Sequence, residues 1–138
     1  MALYVPAEGE VRLLQNMIQA MSKSDNYWLR LFNNNYTPVA GTTHTALPFV
    51  ETTFTGYSVA TLGRSSWSNA YTVAGGNAET SYATQSWTCG TQGDTVYGYW
   101  VEDALDRTIL WAELFSTPRT LAQNDVLNLA PKFQLASA

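Results

Sequence analysis

Three stretches in the second half of the chain decide its fold: Thr95-Val-Tyr-Gly-Tyr-Trp-Val101, Thr108-Ile-Leu-Trp-Ala-Glu-Leu-Phe115 and Val126-Leu-Asn-Leu-Ala-Pro-Lys-Phe-Gln-Leu135. In the last, Leu127, Leu129, Phe133 and Leu135 fall on one parity, and Asn128, Lys132 and Gln134 on the other. Successive side chains of a strand point to opposite faces, so this spacing makes one apolar and one wet face. The chain is thereby committed to packing sheet against sheet.

Working back towards the N-terminus, residues 1–7 read as a flexible arm, since Pro6 and Gly9 disfavour regular structure there. Val11, Leu14, Ile18 and Met21 recur at spacings of three and four and predict a helix over 9–22. Acidic Glu8 and Glu10 suit its start and Lys23 its end. Tyr27–Phe32 reads as a strand and Asn33–Pro38 as a turn. Residues 39–48 read as a loop, Phe49–Thr53 as a short edge strand and Tyr57–Leu62 as a further strand. Trp67–Val73 and Glu79–Thr84 flank Gly75-Gly76-Asn77, a hairpin turn by composition. Asp103–Asp106 links the two aromatic-rich strands, Thr117-Pro118 ends the second, and Asn124-Asp125 turns into the last. One N-terminal helix followed by seven or eight short strands, with turns at close intervals, predicts a mainly β, antiparallel sandwich or small barrel over 27–136. The whole chain, 1–138, reads as one domain.

Composition narrows the function. A 138-residue chain buries roughly two-thirds of its unfolded surface without metal or disulfide staples. Charged residues make up only 13%, against about 25% in ordinary domains, and Thr, Ser, Asn and Gln take their place. Hydroxyls and amides cost far less to desolvate than charges, so this surface is suited to packing against other proteins. The seven basic residues are scattered and the net charge is −4, which argues against direct nucleic-acid binding. Cys89, the single cysteine, can make no internal bridge. No basic start, signal-peptide core or membrane-length apolar run is visible, so the expected setting is a cytoplasm or a particle assembled there.

Candidate chemistry is sparse. His44 and Cys89 make at most a pair, without the third group that a nucleophilic pair or metal site needs; a loop histidine and a small buried thiol explain them. Glu102, Asp103, Asp106 and Glu113 form the one carboxylate-rich region. Two carboxylates at the right separation hydrolyse glycosides, but a solvated hairpin tip beside Arg107 explains the same residues. Trp28, Trp67, Trp87, Trp100 and Trp111 all fall in predicted strands, where core or subunit interface is their expected use and a sugar platform the alternative. No phosphate loop or nucleophile elbow is present. No enzyme activity, cofactor or metal is expected.

Leu29-Arg-Leu-Phe-Asn-Asn-Asn-Tyr-Thr-Pro38, Phe54-Thr-Gly-Tyr-Ser-Val-Ala-Thr-Leu62, Val96-Tyr-Gly-Tyr-Trp-Val-Glu-Asp103 and Ile109-Leu-Trp-Ala-Glu-Leu-Phe115, closed by Asp125–Leu135, together resemble a family of small structural proteins of tailed bacteriophages and prophages. The resemblance runs from about residue 10 to 136. It implies a virion component, with a capsid cement or decoration protein as the leading expectation. The partner is then the major capsid protein or another virion protein, and the chain is expected to be a homo-oligomer, most simply a trimer. No catalytic residues carry over. The expected partner interface is the arm and the Asn-rich turn, through Tyr4, Val5 and Tyr36. A tail or baseplate component and a carbohydrate-binding module for host recognition remain as alternatives.

Overall fold

The computed structural model describes residues 3–9, 25–69, 71–72 and 78–135. The protein is mainly β with antiparallel sheets and a short N-terminal helix, of which residues 7–9 are described. The rest of the helix expected over 9–22 lies outside the described residues. The strands are β1 (Leu3–Tyr4), β2 (Asn26–Phe32), β3 (Ala60–Gly63), β4 (Tyr71–Thr72), β5 (Ala78–Ser81), β6 (Gln85–Thr88), β7 (Asp94–Asp103), β8 (Ile109–Leu121), β9 (Val126–Leu129) and β10 (Lys132–Leu135). They form a five-stranded sheet in the order β1-β8-β7-β2-β3, a three-stranded sheet β10-β5-β4 and a two-stranded sheet β6-β9.

The β7–β8 hairpin is the centre of the large sheet. Tyr99 faces Glu113, Trp100 faces Ala112 and Val101 faces Trp111 across it, while β2 pairs on the other side with Leu29 opposite Val101 and Leu31 opposite Tyr99. Side chains of the two parities build two separate cores. Leu29, Leu31, Tyr99, Val101 and Trp111 meet Trp87, Leu127 and Phe133 from the two smaller sheets, which gives the sandwich-like packing. Phe32, Trp100 and Ala112 on the opposite face are covered by Phe49 and Tyr36 from the connection 33–59. Gly98 sits where β7, β8 and β2 crowd together: a Cβ there would run into the Glu113 carbonyl and the Phe32 ring.

Three expectations fail at prolines and edges. Pro118 does not end β8, which continues to Leu121. The β7–β8 register jumps from Gly98–Leu114 to Val96–Arg119, so residues 115–118 bulge opposite Tyr97, where Pro118 owes the ladder no N–H. Conversely, Val126–Leu135 is not one strand. It breaks at Ala130-Pro131, with β9 pairing to β6 and β10 to β5, because Pro131 cannot donate to a ladder. The alternation survives the break, with Leu127 buried and Asn128 and Lys132 exposed. The arm is also sewn into the sheet. Leu3 and Tyr4 pair with Glu113 and Ala112, which satisfies part of the exposed edge of β8.

Smaller differences follow the same logic. Phe49–Thr53 contributes one bridge, Phe32 to Glu51, and not a strand. The strand expected from Tyr57 begins at Ala60, and Trp67 follows a 3-10 turn over Arg64–Ser66. Pairing of Tyr71 with Glu79 and Thr72 with Ala78 agrees with a hairpin around Gly75-Gly76-Asn77, whose turn lies outside the described residues.

Candidate functional site

Glu102 and its neighbours hold the densest polar chemistry among the described residues. The expected solvated hairpin tip is wrong for three of its four carboxylates: Glu102 is 0% exposed, Asp103 1% and Glu113 8%. Glu102 and Asp103 belong to the end of β7, the most buried strand, and are enclosed before the chain turns. Arg30 on β2 donates from Nε to Glu102 Oε1 at 2.7 Å, and Arg107 Nε donates to the same oxygen at 3.0 Å. Trp100 Nε1 donates to Glu102 Oε2 at 2.9 Å. The second face of Arg30 reaches the connection 33–59, with Nη1 at 2.9 Å and 3.0 Å from the two Glu51 oxygens. Tyr57 donates its hydroxyl to Glu51 Oε1 at 2.6 Å, and the Arg30 guanidinium lies 5.3 Å from the centre of the Trp28 ring.

The electrostatics follow from burial against pairing. Desolvation pulls the Arg30 pKa down, but hydrogen bonds and charge from Glu102 and Glu51 outweigh it, so the guanidinium is held more firmly protonated than usual. Burial and then the Glu51 carboxylate push the Tyr57 phenol far up. With Oε1 shared between two guanidiniums and Oε2 taken by an indole, Glu102 is fully engaged inside the fold. The arrangement ties β2, β7, the hairpin and the connection together. Asp103 Oδ1 accepts from the Leu105 N–H and Asp106 Oδ1 from the Thr108 N–H, which shapes the hairpin in which Arg107 has φ of 66°. Glu113 bonds the buried Tyr99 hydroxyl, and burial first and that carboxylate second raise the Tyr99 pKa.

A second polar knot fastens the connection at its base. Asp94 Oδ2 accepts from Asn33 Nδ2 (2.9 Å), Thr52 Oγ1 (2.7 Å) and the Thr53 N–H (3.2 Å), and Oδ1 accepts from the Thr95 N–H (2.8 Å). Partial burial raises the Asp94 pKa, but these donors outweigh it and hold the carboxylate below its ordinary value. Asn34 completes the fastening by donating to the Pro48 carbonyl and accepting from the Val50 N–H, each at 2.9 Å. Sequence reading missed both knots. A visible signal was the scarcity of charge from 33 to 59, where Glu51 is the sole acidic residue and Lys and Arg do not occur.

The remaining candidates are dispersed. Cys89 is buried and its thiol faces the Gly90 and Gln92 carbonyls, while His44 is exposed beside Glu8. Among the described residues no group of three or more His, Cys, Asp and Glu side chains is gathered as a metal would require. Trp87, Trp100 and Trp111 are buried; Trp28 lies with Arg30 and Trp67 with Trp111, so no two exposed rings share a platform. A pocket of about 220 Å³ is lined by Tyr27, Arg64, Trp67, Thr80, Trp111 and Phe133. Trp67 Nε1 and Trp111 Nε1 are buried without a well-formed hydrogen bond, although the Trp111 indole is near enough to the Tyr99 hydroxyl to favour its ionised form. An open groove of about 680 Å³ runs between residues 115–121 and 125–129.

Tyr4 and Tyr36 come to the same face of the large sheet. Tyr4 is opposite Ala112, a member of the core that Tyr36 covers by meeting Phe49 edge-on at 5.7 Å. Val5 packs on the other core. No protein-family model matches this chain, and no curated protein matches its sequence.

Two outcomes test these readings. Glu102→Ala takes one of two carboxylates from Arg30 and the acceptor from the buried Trp100 indole N–H, and is expected to cost about 1–3 kcal/mol in urea unfolding; a wild-type midpoint contradicts the buried network. Because the folded pKa of Asp94 is depressed, its stabilisation is fully present above the unfolded pKa and is lost as pH falls through the folded one. Stability measured against pH is therefore expected to fall less steeply in that acid range for Asp94→Asn than for the wild type. Parallel curves contradict the knot.

Proposed function

We propose that this chain is a structural protein of a tailed-phage virion, and within that class a capsid cement protein that binds the assembled shell. The observation that carries the reading is the inward turn of its chemistry. The carboxylates at 102, 103 and 113 and three of five tryptophans are buried, which leaves a polar surface poor in charge. The strand motifs quoted above, with their resemblance to small phage structural proteins, supply the class.

A cement protein works by mass action: it binds the closed lattice and not the separated subunits, so each copy bound lowers the free energy of the closed state. Contacts repeated around the shell add through multivalency, so each can be weak. A surface of hydroxyls and amides suits this role because its desolvation is cheap. A homo-oligomer, simplest as a trimer around a local symmetry axis, multiplies the contacts further.

The test uses shells assembled without this chain and then mixed with the purified protein. Saturable binding over the shell surface, seen by cryo-microscopy, and a higher shell melting temperature are expected. Density confined to the tail moves the protein to a tail or baseplate address, and no binding to the particle ends the virion reading.

A further inference from the structure

Resting on the virion reading, we propose that the tip of the β7–β8 hairpin is a contact point for the shell. Arg107 meets a carboxylate of the shell protein there, and Leu105 enters an apolar hollow beside it. The stretch Glu102-Asp-Ala-Leu-Asp-Arg107 reads as acidic, yet the fold turns its charge round. Glu102 and Asp103 are buried, and Asp106 is half-buried with Oδ1 on the Thr108 N–H, whereas the Arg107 side chain is 47% exposed. Leu105, at 64%, is the most exposed large hydrophobic among the described residues. What the tip offers a neighbour is therefore a cation and an apolar side chain two residues apart.

Both residues are held ready. The Leu105 N–H donates to Asp103 Oδ1 at 2.8 Å and the Arg107 N–H to the Asp103 carbonyl at 2.9 Å. Arg107 has φ of 66°, a left-handed conformation that glycine or asparagine adopts with less strain. Strain of this kind is kept where the side chain has a use. Glu102 has donors on both oxygens without Arg107, from Arg30 and the Trp100 indole. Its carboxylate fixes the Arg107 guanidinium through Nε at 3.0 Å, and the Nη groups make no hydrogen bond among the described residues. The N–H donors left over match a carboxylate, and their orientation in advance lowers the entropy lost on docking. A single guanidinium on a chain of net charge −4 is a poor ligand for polyanions, and the leucine beside it favours a protein surface over a small anion.

Shells assembled without this chain, titrated with the purified wild type and variants, test it. Leu105→Ser and Arg107→Gln are each expected to bind about tenfold more weakly or less. Val126→Ser, an exposed site outside the hairpin, is expected to bind as wild type. Added salt is expected to weaken the wild type more than Arg107→Gln, because the variant has no charge left to screen at the contact. Circular dichroism checks the fold, and Leu105→Ser, which alters a mostly exposed side chain, reads the tip if Arg107→Gln unfolds. Folded tip variants that bind as wild type overturn the inference and leave the proposed function standing. Equal salt dependence in the wild type and a folded Arg107→Gln overturns the carboxylate contact. A wild type that does not bind the shell ends both.

Discussion

Burial of β7 on both faces is the constraint from which the rest of the structure follows. A strand covered on both sides has no wet side to spend on charge, so Tyr99, Trp100 and Val101 are all apolar or aromatic. At its end the strand nevertheless carries Glu102 into the interior. A lone buried carboxylate is very costly, and the fold answers with two guanidiniums and an indole N–H. Those partners come from β2, β7 and the hairpin, and Arg30 passes the tie on to Glu51. Covering the second face of the sheet thus also fixes the course of the long connection.

Much of this was legible in the sequence where information is local. The β7–β8 hairpin, the alternation of Leu127, Leu129 and Phe133, and the mainly β class all follow from periodicity and turn residues. What stayed hidden depends on partners far away in the chain. Arg30 and Glu102 are 72 positions apart, and Asn33 and Asp94 are 61 apart. No pattern along the chain announces that the acids at 102 and 103 are buried. Prolines misled in both directions. Pro118 was read as a stop but falls in a bulge, and Pro131 was read as part of a strand but marks a change of sheet. Their effect depends on whether an N–H is wanted at that place, which pairing alone decides.

The interior absorbs Glu102, Asp103, Glu113 and three of the tryptophans, and the connection 33–59 over the sheet is well fastened and poor in charge. Tyr4 and Tyr36, read from the sequence as partner contacts, reach the same face of the large sheet, and the connection with Val39, Leu47 and Val50 departs from that region. A hydrogen-bonded surface poor in charge favours association with neighbouring proteins over recognition of a charged ligand, and so supports the structural role proposed.

Native-state hydrogen exchange tests the central place of β7 most directly. If β7 is the core on which the fold depends, the amides of Trp100 and Val101 exchange only through global unfolding, with protection equal to the full stability, and those of 33–59 through smaller openings. Exchange of the Trp100 and Val101 amides through local openings, as fast as that of the connection, would contradict the account.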